Sequence, residues 1–579
     1  MSSETRTCQN CKSEFVIEPE DFLFYEKIKV PPPTWCPECR LQRRLAWRNE
    51  RNLYKRVCDL CKKPIISMYS DRVPFPVYCS GCWWGDGWDP REYGTEYDVT
   101  KPFFEQFHEL MSKVPQEALQ GKQSVNSDYS NYTMNAKDAY LSVLIVESEN
   151  VSFSRFLLQC RDCSGCSMST KLEKCVRMSR TGFCSDSSDC MITEYSHGVH
   201  FMYDCINCSD CYGCINLNHK RYHIFNRPYS KEEYEKKVAQ LKSFPWEEQR
   251  ERVHAFFRTQ PVRGYIHYFS HNVSGEEIYY SENCKQCFLA NFVKDSAYIF
   301  NTSSLDRSNE ATHDNYDCTI VADTALCYEM IGGSKSYQCR FGFINDNSIS
   351  LDYSMFCYGS SNLFGCIGLR NKQRCILNRE YDAEVYAELR MKIVQEMGDY
   401  GEFPPAVFSP FAYNETLAQE YFPLTKSEAL RKGYAWKDPE ARDYKITMRG
   451  NTLPDRIADV RDSVLQETIG CAHEEECSEQ CTFAFKIIPQ ELALYRRLEL
   501  PLPRLCPNCR YSQILNERNP LKLFEARCRC AGAVSENGAY ANQADHGHGK
   551  VHCLNSFKTV FKPEEMIVYC KECYQSEFI

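Results

Sequence analysis

Four pairs of cysteines near the amino terminus constrain the fold of this chain more than any other feature of its sequence. Each pair has the spacing Cys-x-x-Cys, and the pairs are separated by 24, 18 and 17 residues. Two thiolates at this spacing can bind one face of a tetrahedral Zn²⁺, and a second pair brought alongside by a hairpin closes the site. We therefore predict two zinc ribbons whose metal is structural, because the protein fills every coordination position. The predicted ligands are Cys8, Cys11, Cys36, Cys39, Cys58, Cys61, Cys79 and Cys82.

The pairing of these ligands has more than one solution. Consecutive sites need only local hairpins, whereas a cross-braced arrangement would join the first pair to the third. The 18-residue connector between Cys39 and Cys58 is long enough for a helix, which favours consecutive sites. The alternative without metal is a set of reduced or disulfide-linked thiol motifs.

The same pattern recurs near the carboxyl terminus, which indicates a duplicated unit. With an offset of 470 residues, four of the cysteines align without gaps: Cys11, Cys36, Cys39 and Cys58 with Cys481, Cys506, Cys509 and Cys528. In this copy the spacing within the first pair is x3 and within the third pair x1. The predicted ligands are Cys477, Cys481, Cys506, Cys509, Cys528, Cys530, Cys570 and Cys573. Together the two units predict about four structural zinc ions per chain.

The carboxy-terminal copy also carries an insertion of about 22 residues before its last cysteine pair, because the gap after Cys530 is 39 residues where the first unit has 17. Four metal-ligand residue types fall in it: His546, His548, His552 and Cys553. Cys471 and His473 lie just before the third predicted site. These residues predict either substitute ligands or an additional metal site, and the alternative is a polar loop folded over the ribbon.

The first ribbon resembles a bacterial family described as "probable zinc-ribbon", for which no activity is established. The resemblance rests on Cys8-x2-Cys11-x3-Phe15, the aromatic run from Phe22 to Tyr25, and Cys36-Pro-Glu-Cys39-Arg40. The whole chain resembles large cysteine-rich proteins of uncultivated bacteria with small genomes. This resemblance implies a metal-binding architecture and supplies no function.

Composition and net charge indicate which cellular compartment and which class of partner to expect. A net charge of −9 argues against a globally basic nucleic-acid coat, so such binding would have to come from local patches. The amino terminus has no apolar signal segment, and we expect a soluble, cytoplasmic protein without a membrane partner. The 36 cysteines then favour metal binding over disulfides, with export by another route as the alternative.

One local patch is basic. The stretch from Arg40 to Arg56 has seven basic residues and one acidic residue. Apolar side chains could seat one side of it on the ribbons while its arginines face phosphate. The predicted nucleic-acid contacts are Arg40, Arg43, Arg44, Arg48 and Arg51. The alternative is a helical connector whose arginines pair with acids elsewhere in the chain.

The middle of the chain contains a second duplication, with an offset of 152 residues. Cys166, Cys175 and Cys184 are nine residues apart in the first copy, as are Cys357, Cys366 and Cys375 in the second. Short β-prone segments separated by Ser, Asn, Asp and Gly predict a β-solenoid with small thiols stacked in successive turns. Each copy ends in a predicted capping helix, one after Ser230 and one from Ala383 to Met397.

The densest cysteine run, Cys205 to Cys214, lacks the x3 step and the proline of the known bacterial iron–sulfur motif. The second copy has Ser360 and Leu363 where the first has Cys208 and Cys211. We therefore expect buried thiols here, with an iron–sulfur cluster or an extra zinc as the alternative.

The predicted fold class is a β-rich multidomain protein, in which tandem zinc ribbons flank a duplicated β-solenoid with capping helices. The predicted segments are a first ribbon unit (1–95), a helical connector (96–125), two solenoid modules with their capping helices (126–260 and 261–400), a linker region (401–470) and a second ribbon unit (471–579).

No catalytic residues are predicted, because the common nucleotide-binding, metalloprotease and hydrolase motifs are absent from the sequence. We predict a zinc-stabilised binding protein that engages nucleic acid, with RNA favoured over DNA, through its ribbon units. A protein–protein interaction scaffold is the main alternative. A CoA-transferase of the CaiB/BaiF type is a distant alternative that no residue supports.

Overall fold

The computed structural model describes residues 2–302, 312–438, 444–474, 477, 480–562 and 565–579. The chain forms two units, each made of two separate segments. Unit 1 comprises Met1–Ala118 and Tyr265–Lys437, and unit 2 comprises Leu119–Gly264 and Asp438–Ile579. Each unit therefore joins one cysteine-rich terminal module to the solenoid copy that is distant from it in sequence.

The solenoid predicted for the middle of the chain is confirmed, and its turn is twelve residues long. In the first copy Arg161 pairs in parallel with Glu173, and in the second Ile349 pairs with Ser361. The strands of the first copy are Gly121–Lys122, Asn131–Met134, Lys137–Tyr140, Val143–Val146, Glu149–Ser152, Arg155–Leu158, Arg161–Ser164, Ser167–Thr170, Glu173–Val176, Met191–Glu194, His197–His200, Tyr203–Ile206, Ser209–Tyr212, Arg221–Ile224 and Arg227–Pro228. Those of the second are His267–Tyr268, His271–Tyr279, Glu282–Asn291, Val293–Ala297, Phe300–Thr302, Thr312–His313, Thr319–Val321, Ile349–Asp352, Ser361–Phe364, Gln373–Ile376 and Arg379–Glu380.

A left-handed residue at every third position bends each turn into four short sides. Successive examples are Phe153, Phe156, Gln159 and Asp162, with φ between 51° and 56°. This conformation costs a non-glycine residue about 1–2 kcal/mol, and Asn, Asp and Gly adopt it most readily. Their frequency at the corners explains the Asn, Asp and Gly punctuation of the sequence.

The narrow interior of the coil explains the abundance of cysteine in it. One residue of each three-residue side points inward, and these positions hold small side chains such as Cys160, Cys163 and Cys166, all buried. The nine-residue spacing seen in the sequence is three sides of a four-sided turn. Cysteines nine apart therefore lie on neighbouring sides, and the residues paired across successive turns are twelve apart, as Cys163 and Cys175 are.

Helices close the solenoid copies, as predicted. Lys231–Lys242 begins with a capping box formed by Ser230 and Glu233, and Ala383–Glu396 begins after Asp382. A further helix, Trp246–Phe257, follows the first of these and was not predicted. In the linker region, Thr425 and Glu428 cap the helix Lys426–Arg431, whereas residues 439–443 lie outside the described part of the chain.

The terminal modules are built from hairpins and short helices. The amino-terminal module has hairpins of Glu4–Thr7 with Glu14–Ile17 and of Tyr54–Val57 with Pro64–Ser67, and helices Pro19–Lys27, Pro37–Leu45, Ser80–Trp84 and Phe103–Met111. The carboxy-terminal module has a hairpin of Phe524–Arg527 with Ser556–Thr559, and helices Pro489–Arg497, Pro507–Asn516 and Lys571–Phe578. In unit 2, Ile567–Tyr569 also pairs in parallel with Pro261–Arg263.

Candidate metal centres

The eight predicted amino-terminal ligands form two groups of four cysteines. Cys8, Cys11, Cys36 and Cys39 make the first group, and Cys58, Cys61, Cys79 and Cys82 the second. Within each group the ligand atoms lie within 4.8 Å of one another. The Sγ atoms of Cys11 and Cys36 are 3.8 Å apart, as are those of Cys61 and Cys79. A tetrahedral ion with thiolate bonds of about 2.3 Å places its ligands about 3.8 Å apart, so both groups fit such an ion. Their grouping is the consecutive one.

Local structure explains how each group is assembled. The first pair lies in the turn of a hairpin, where Lys12 and Lys62 adopt the left-handed conformation. The second pair lies at the start of a helix, because Cys36 and Cys79 are the N-caps of Pro37–Leu45 and Ser80–Trp84. The positive end of a helix dipole stabilises a thiolate, so this position suits a metal ligand.

One hydrogen bond recurs in all four sites and identifies equivalent ligands. The amide of the N-cap cysteine donates to the sulfur of the first ligand, as Cys36 does to Cys8 at 3.2 Å and Cys79 to Cys58 at 3.3 Å. Such donors stabilise a thiolate over a thiol. At Cys58, burial raises the pKa, but backbone hydrogen bonds from Cys79, Cys61 and Leu60 outweigh it and lower the pKa to about 6.

In the third site the structure replaces one predicted ligand. The group consists of Cys471, Cys481, Cys506 and Cys509, all buried. Here the Cys506 amide donates to Cys471 at 3.3 Å, which makes Cys471 the counterpart of Cys8. The predicted ligand Cys477 lies beside this group, with its Sγ 3.6 Å from that of Cys509. The sequence suggested Cys471 as a substitute, but nine residues separate it from Cys481 where the two amino-terminal sites have two.

The fourth site departs from its predicted set in the same way. The group consists of Cys528, Cys553, Cys570 and Cys573, all buried. The Cys570 amide donates to Cys528 at 3.2 Å, and the Sγ atoms of Cys553 and Cys570 are 3.9 Å apart. Cys553 of the insertion thus takes the place that the sequence assigned to Cys530. Spacing alone could not show this, because the insertion is the long loop of the hairpin Phe524–Arg527 with Ser556–Thr559, and pairing of the strands returns Cys553 to the side of Cys528.

Cys530 belongs instead to a second group in the same module. Cys530, His546, His548 and Cys573 place one ligand atom each within 4.8 Å of the others. His552, also predicted as a possible ligand, points elsewhere. Its Nδ1 lies 2.9 Å from the carbonyl oxygen of Cys553, and its Nε2 lies 3.7 Å from Glu536.

The solenoid cysteines differ chemically from the terminal ones. In the run from Cys205 to Cys214, each of the four cysteines donates its S–H to the carbonyl two residues before it, at 3.3–3.5 Å. Burial raises the pKa of Cys184 and of Cys357 to about 12. These contacts are those of protonated thiols that fill an apolar interior.

The basic stretch from Arg40 to Arg56 is not an exposed patch, which corrects the interpretation given to its arginines. Arg40 bonds Asp317 at 2.8 Å, Arg43 bonds Glu329 at 2.9 Å, and Arg44 lies 3.2 Å from Asp317. Within the terminal module, Arg48 bonds Glu50 at 2.7 Å. The side chains of Arg40, Arg43, Arg44 and Arg48 are at most 4% exposed, and Arg51 is half-buried.

Phosphate could reach these four arginines only after their ion pairs were broken. The carboxylates Asp317 and Glu329, which partner Arg40, Arg43 and Arg44, lie on the second solenoid copy, far along the chain. The sequence interpretation in which the arginines pair with acids elsewhere is therefore the one that the structure supports.

The helix Pro19–Lys27 packs the amino-terminal module against the second solenoid copy, next to these ion pairs. Phe24 stacks on Tyr316 with ring centroids 3.9 Å apart, and Tyr25 meets Tyr328 edge to face at 5.5 Å. The terminal module and the solenoid copy of unit 1 thus share an apolar and ionic contact, and one of the helices that form it, Pro37–Leu45, begins at the first cysteine group.

No family model matches the chain, and no curated protein matches it. Among the described residues, no helix is both long enough and apolar enough to cross a bilayer.

Proposed function

We propose that this protein is a zinc-stabilised scaffold that binds other proteins. The observation that carries the proposal is the burial of Arg40, Arg43, Arg44 and Arg48 in ion pairs. Those arginines were the basis for expecting nucleic acid. With them neutralised inside unit 1 and a net charge of −9, a polyanion has little to attract it.

Zinc is the proposed ion because four-cysteine tetrahedral groups favour it and because it brings no redox chemistry. The role is structural, since cysteines supply four ligands in each of the four groups. Elemental analysis of purified protein tests the identity of the metal. Iron in place of zinc would overturn this part of the proposal.

The solenoid offers the exposed surface that a protein partner requires. In unit 1, Phe269, Tyr280 and Phe292 stack at 5.1 Å from ring to ring, and Phe269 is 79% exposed. Periodic aromatic rows on a solenoid face are suited to the apolar centre of a protein interface. The proposed partner surface is this row, which we call the aromatic ladder.

A pull-down from native lysate, with and without nuclease, tests the proposal. We expect partners that remain after nuclease treatment and that are lost from Phe269→Ala. The matched control is Val407→Ala, which shortens another exposed apolar side chain of unit 1. Partners that disappear on nuclease treatment would instead identify a nucleic-acid-binding protein, with RNA and DNA separated by the nuclease used.

A further inference from the structure

The insertion in the carboxy-terminal module brings a second ligand set against the fourth metal site. One group consists of Cys528, Cys553, Cys570 and Cys573, and the other of Cys530, His546, His548 and Cys573. The Cys573 thiolate is common to both. A thiolate sulfur has several lone pairs and can bind two ions at once. The two groups could therefore hold either one ion or two.

The distances in the second group suit an ion of its own. The Sγ of Cys530 lies 3.6 Å from Nδ1 of His546, and the Sγ of Cys573 lies 3.3 Å from Nε2 of His548. A tetrahedral zinc ion places a sulfur and a nitrogen ligand about 3.6 Å apart. Both distances therefore match the separation between two ligands of one tetrahedral ion.

His546 is oriented for this role by a carboxylate. Its Nε2 donates to Oε1 of Glu577 at 2.8 Å, and both side chains are at most 1% exposed. Glu577 is itself fixed by the Tyr540 hydroxyl and by the backbone amides of Gln543 and Ala544. A histidine that donates one ring nitrogen to a carboxylate presents the other, unprotonated nitrogen to a metal. Here the presented atom is Nδ1, which faces Cys530.

His548 is oriented in the opposite sense by the backbone. Its Nδ1 donates to the carbonyl of Val551 at 2.7 Å, which leaves Nε2 unprotonated and facing Cys573. The two histidines therefore present different ring nitrogens to one point. The hydrogen bonds to Glu577 and to the Val551 carbonyl are independent of each other, and each leaves an unprotonated ring nitrogen facing the same point. This arrangement indicates a metal site.

We propose that this module holds a dinuclear metal centre in which the Cys573 thiolate bridges two divalent ions. The first ion is bound by the four-cysteine group and the second by Cys530, His546, His548 and Cys573. Counting the ions and their cysteine ligands alone, five thiolates with two divalent ions carry one net negative charge, whereas four thiolates with one ion carry two. The inference concerns metal content alone and does not depend on which partner the protein binds.

The first test is the number of ions per chain. With three other four-cysteine groups, the full-length protein should hold about five zinc ions, against four for a single ion at this site. His546→Ala combined with His548→Ala should lower the count by one. His552→Ala is the matched control and should leave it unchanged. Four ions in the natural chain, unaffected by the double substitution, would overturn the proposal.

A second variant tests the same site and is less disruptive to the fold than removing both histidines. Glu577→Gln keeps every ligand and removes only the carboxylate behind His546. Loss of such a partner weakens metal binding about 10–100-fold, and we expect that change for one ion only. Competition with a chromophoric chelator measures it. Equal weakening of all ions, or none, would contradict a separate second site.

The bridge itself is tested by cadmium. Protein loaded with ¹¹³Cd²⁺ should give two resonances from this dinuclear centre that are coupled to each other through the shared sulfur, and an uncoupled resonance from each four-cysteine group elsewhere in the chain. Cys573→Ser should remove two ions, whereas Cys528→Ser should remove one. Uncoupled resonances together with loss of a single ion from Cys573→Ser would show two alternative positions for one ion and would overturn the bridge.

Discussion

The helix that carries the second cysteine pair meets the solenoid in both units, but the charges at that contact differ between them. In unit 1, Arg43 and Arg44 face Asp317 and Glu329. The offsets of 470 and 152 residues place Gln513 and Ile514 on the helix of unit 2, and Gly165 and Arg177 on its solenoid. The counterparts of Arg43 and Arg44 and of the two acids that they face are thus absent together, whereas Arg40 keeps an arginine as its counterpart.

This joint difference shows what the arginines do. Had they served to bind phosphate, their presence would not depend on carboxylates of the solenoid. In unit 2 the corresponding place is a cleft bordered by Gly165, Arg177 and Gln513. Arg510, the counterpart of Arg40, bonds Glu491 of its own module at 2.7 Å. The basic helix of unit 1 is therefore one half of an internal contact.

The largest expected effect comes from removing one metal ligand in each unit. Cys36→Ser and its counterpart Cys506→Ser should each lose one ion per chain and the helix that begins there, because structural zinc contributes about 10–16 kcal/mol to small domains. Elemental analysis and far-ultraviolet circular dichroism measure the two losses. Cys175→Ser, which changes a solenoid thiol, is the control and should keep every ion. Loss of an ion from Cys175→Ser would contradict the division of cysteines into ligands and core.

The next effect concerns the ion network of unit 1. Arg44→Ala should lower the free energy of unfolding by about 3–5 kcal/mol, because it removes one of the two arginines that neutralise each of the buried carboxylates Asp317 and Glu329. Gln513→Ala in unit 2 should cost about 1 kcal/mol or less, since it breaks no ion pair there. Urea denaturation measures both. Equal costs would mean that the arginine contributes only its volume.

Converting unit 1 to the residues of unit 2 sharpens the comparison. The substitutions Arg43→Gln and Arg44→Ile should each destabilise alone, as should Asp317→Gly and Glu329→Arg. Combined, they should cost less than their sum, with a coupling of about 0.5–3 kcal/mol, because Arg43 and Arg44 are removed together with the carboxylates that they neutralise. The same denaturation series provides the coupling. Simple additivity would show that the two sides of the contact act independently.

The smallest expected effect is kinetic. Cys11 and Cys61 of unit 1 are exposed, whereas the fourth site of unit 2 is formed entirely by buried cysteines. A chelator should therefore withdraw ions from the amino-terminal sites first, and stopped-flow mixing with a zinc-sensitive dye should resolve at least two phases. The fast phase should be missing from a protein with Cys11→Ser and Cys61→Ser. A single phase in the natural chain would count against this difference in access.

The sequence was sufficient for the solenoid, the capping helices and the places of the metal sites, because each depends on spacing along the chain. The sequence assigned Cys477 and Cys530 as ligands, whereas the structure groups Cys471 and Cys553 with the other cysteines. Which of two nearby sulfurs joins a group depends on how the inserted loops fold, and spacing does not show this. The twelve-residue turn was hidden by the nine-residue cysteine spacing. A count of small residues at every third position would have revealed its three-residue sides.

The arginines of unit 1 show a different limit. A basic segment has the same composition whether it faces solvent or a carboxylate, and the partners Asp317 and Glu329 are 277 and 286 residues away. Nothing local distinguishes the two cases. The comparison between copies could have done so for Arg43 and Arg44, because their counterparts are lost together with those of the two acids.

The alternation of segments between the two units has a consequence for synthesis. When Arg40 is added to the growing chain, Asp317 is still 277 residues from being made, which at about 5–20 residues per second is a delay of roughly 15–55 s. During that time the nascent chain carries arginine and aromatic side chains whose partners on the second solenoid copy have not yet been synthesised. Early zinc uptake would give the amino-terminal hairpins a fold during this wait, and a chaperone would be needed most before residue 437 is translated.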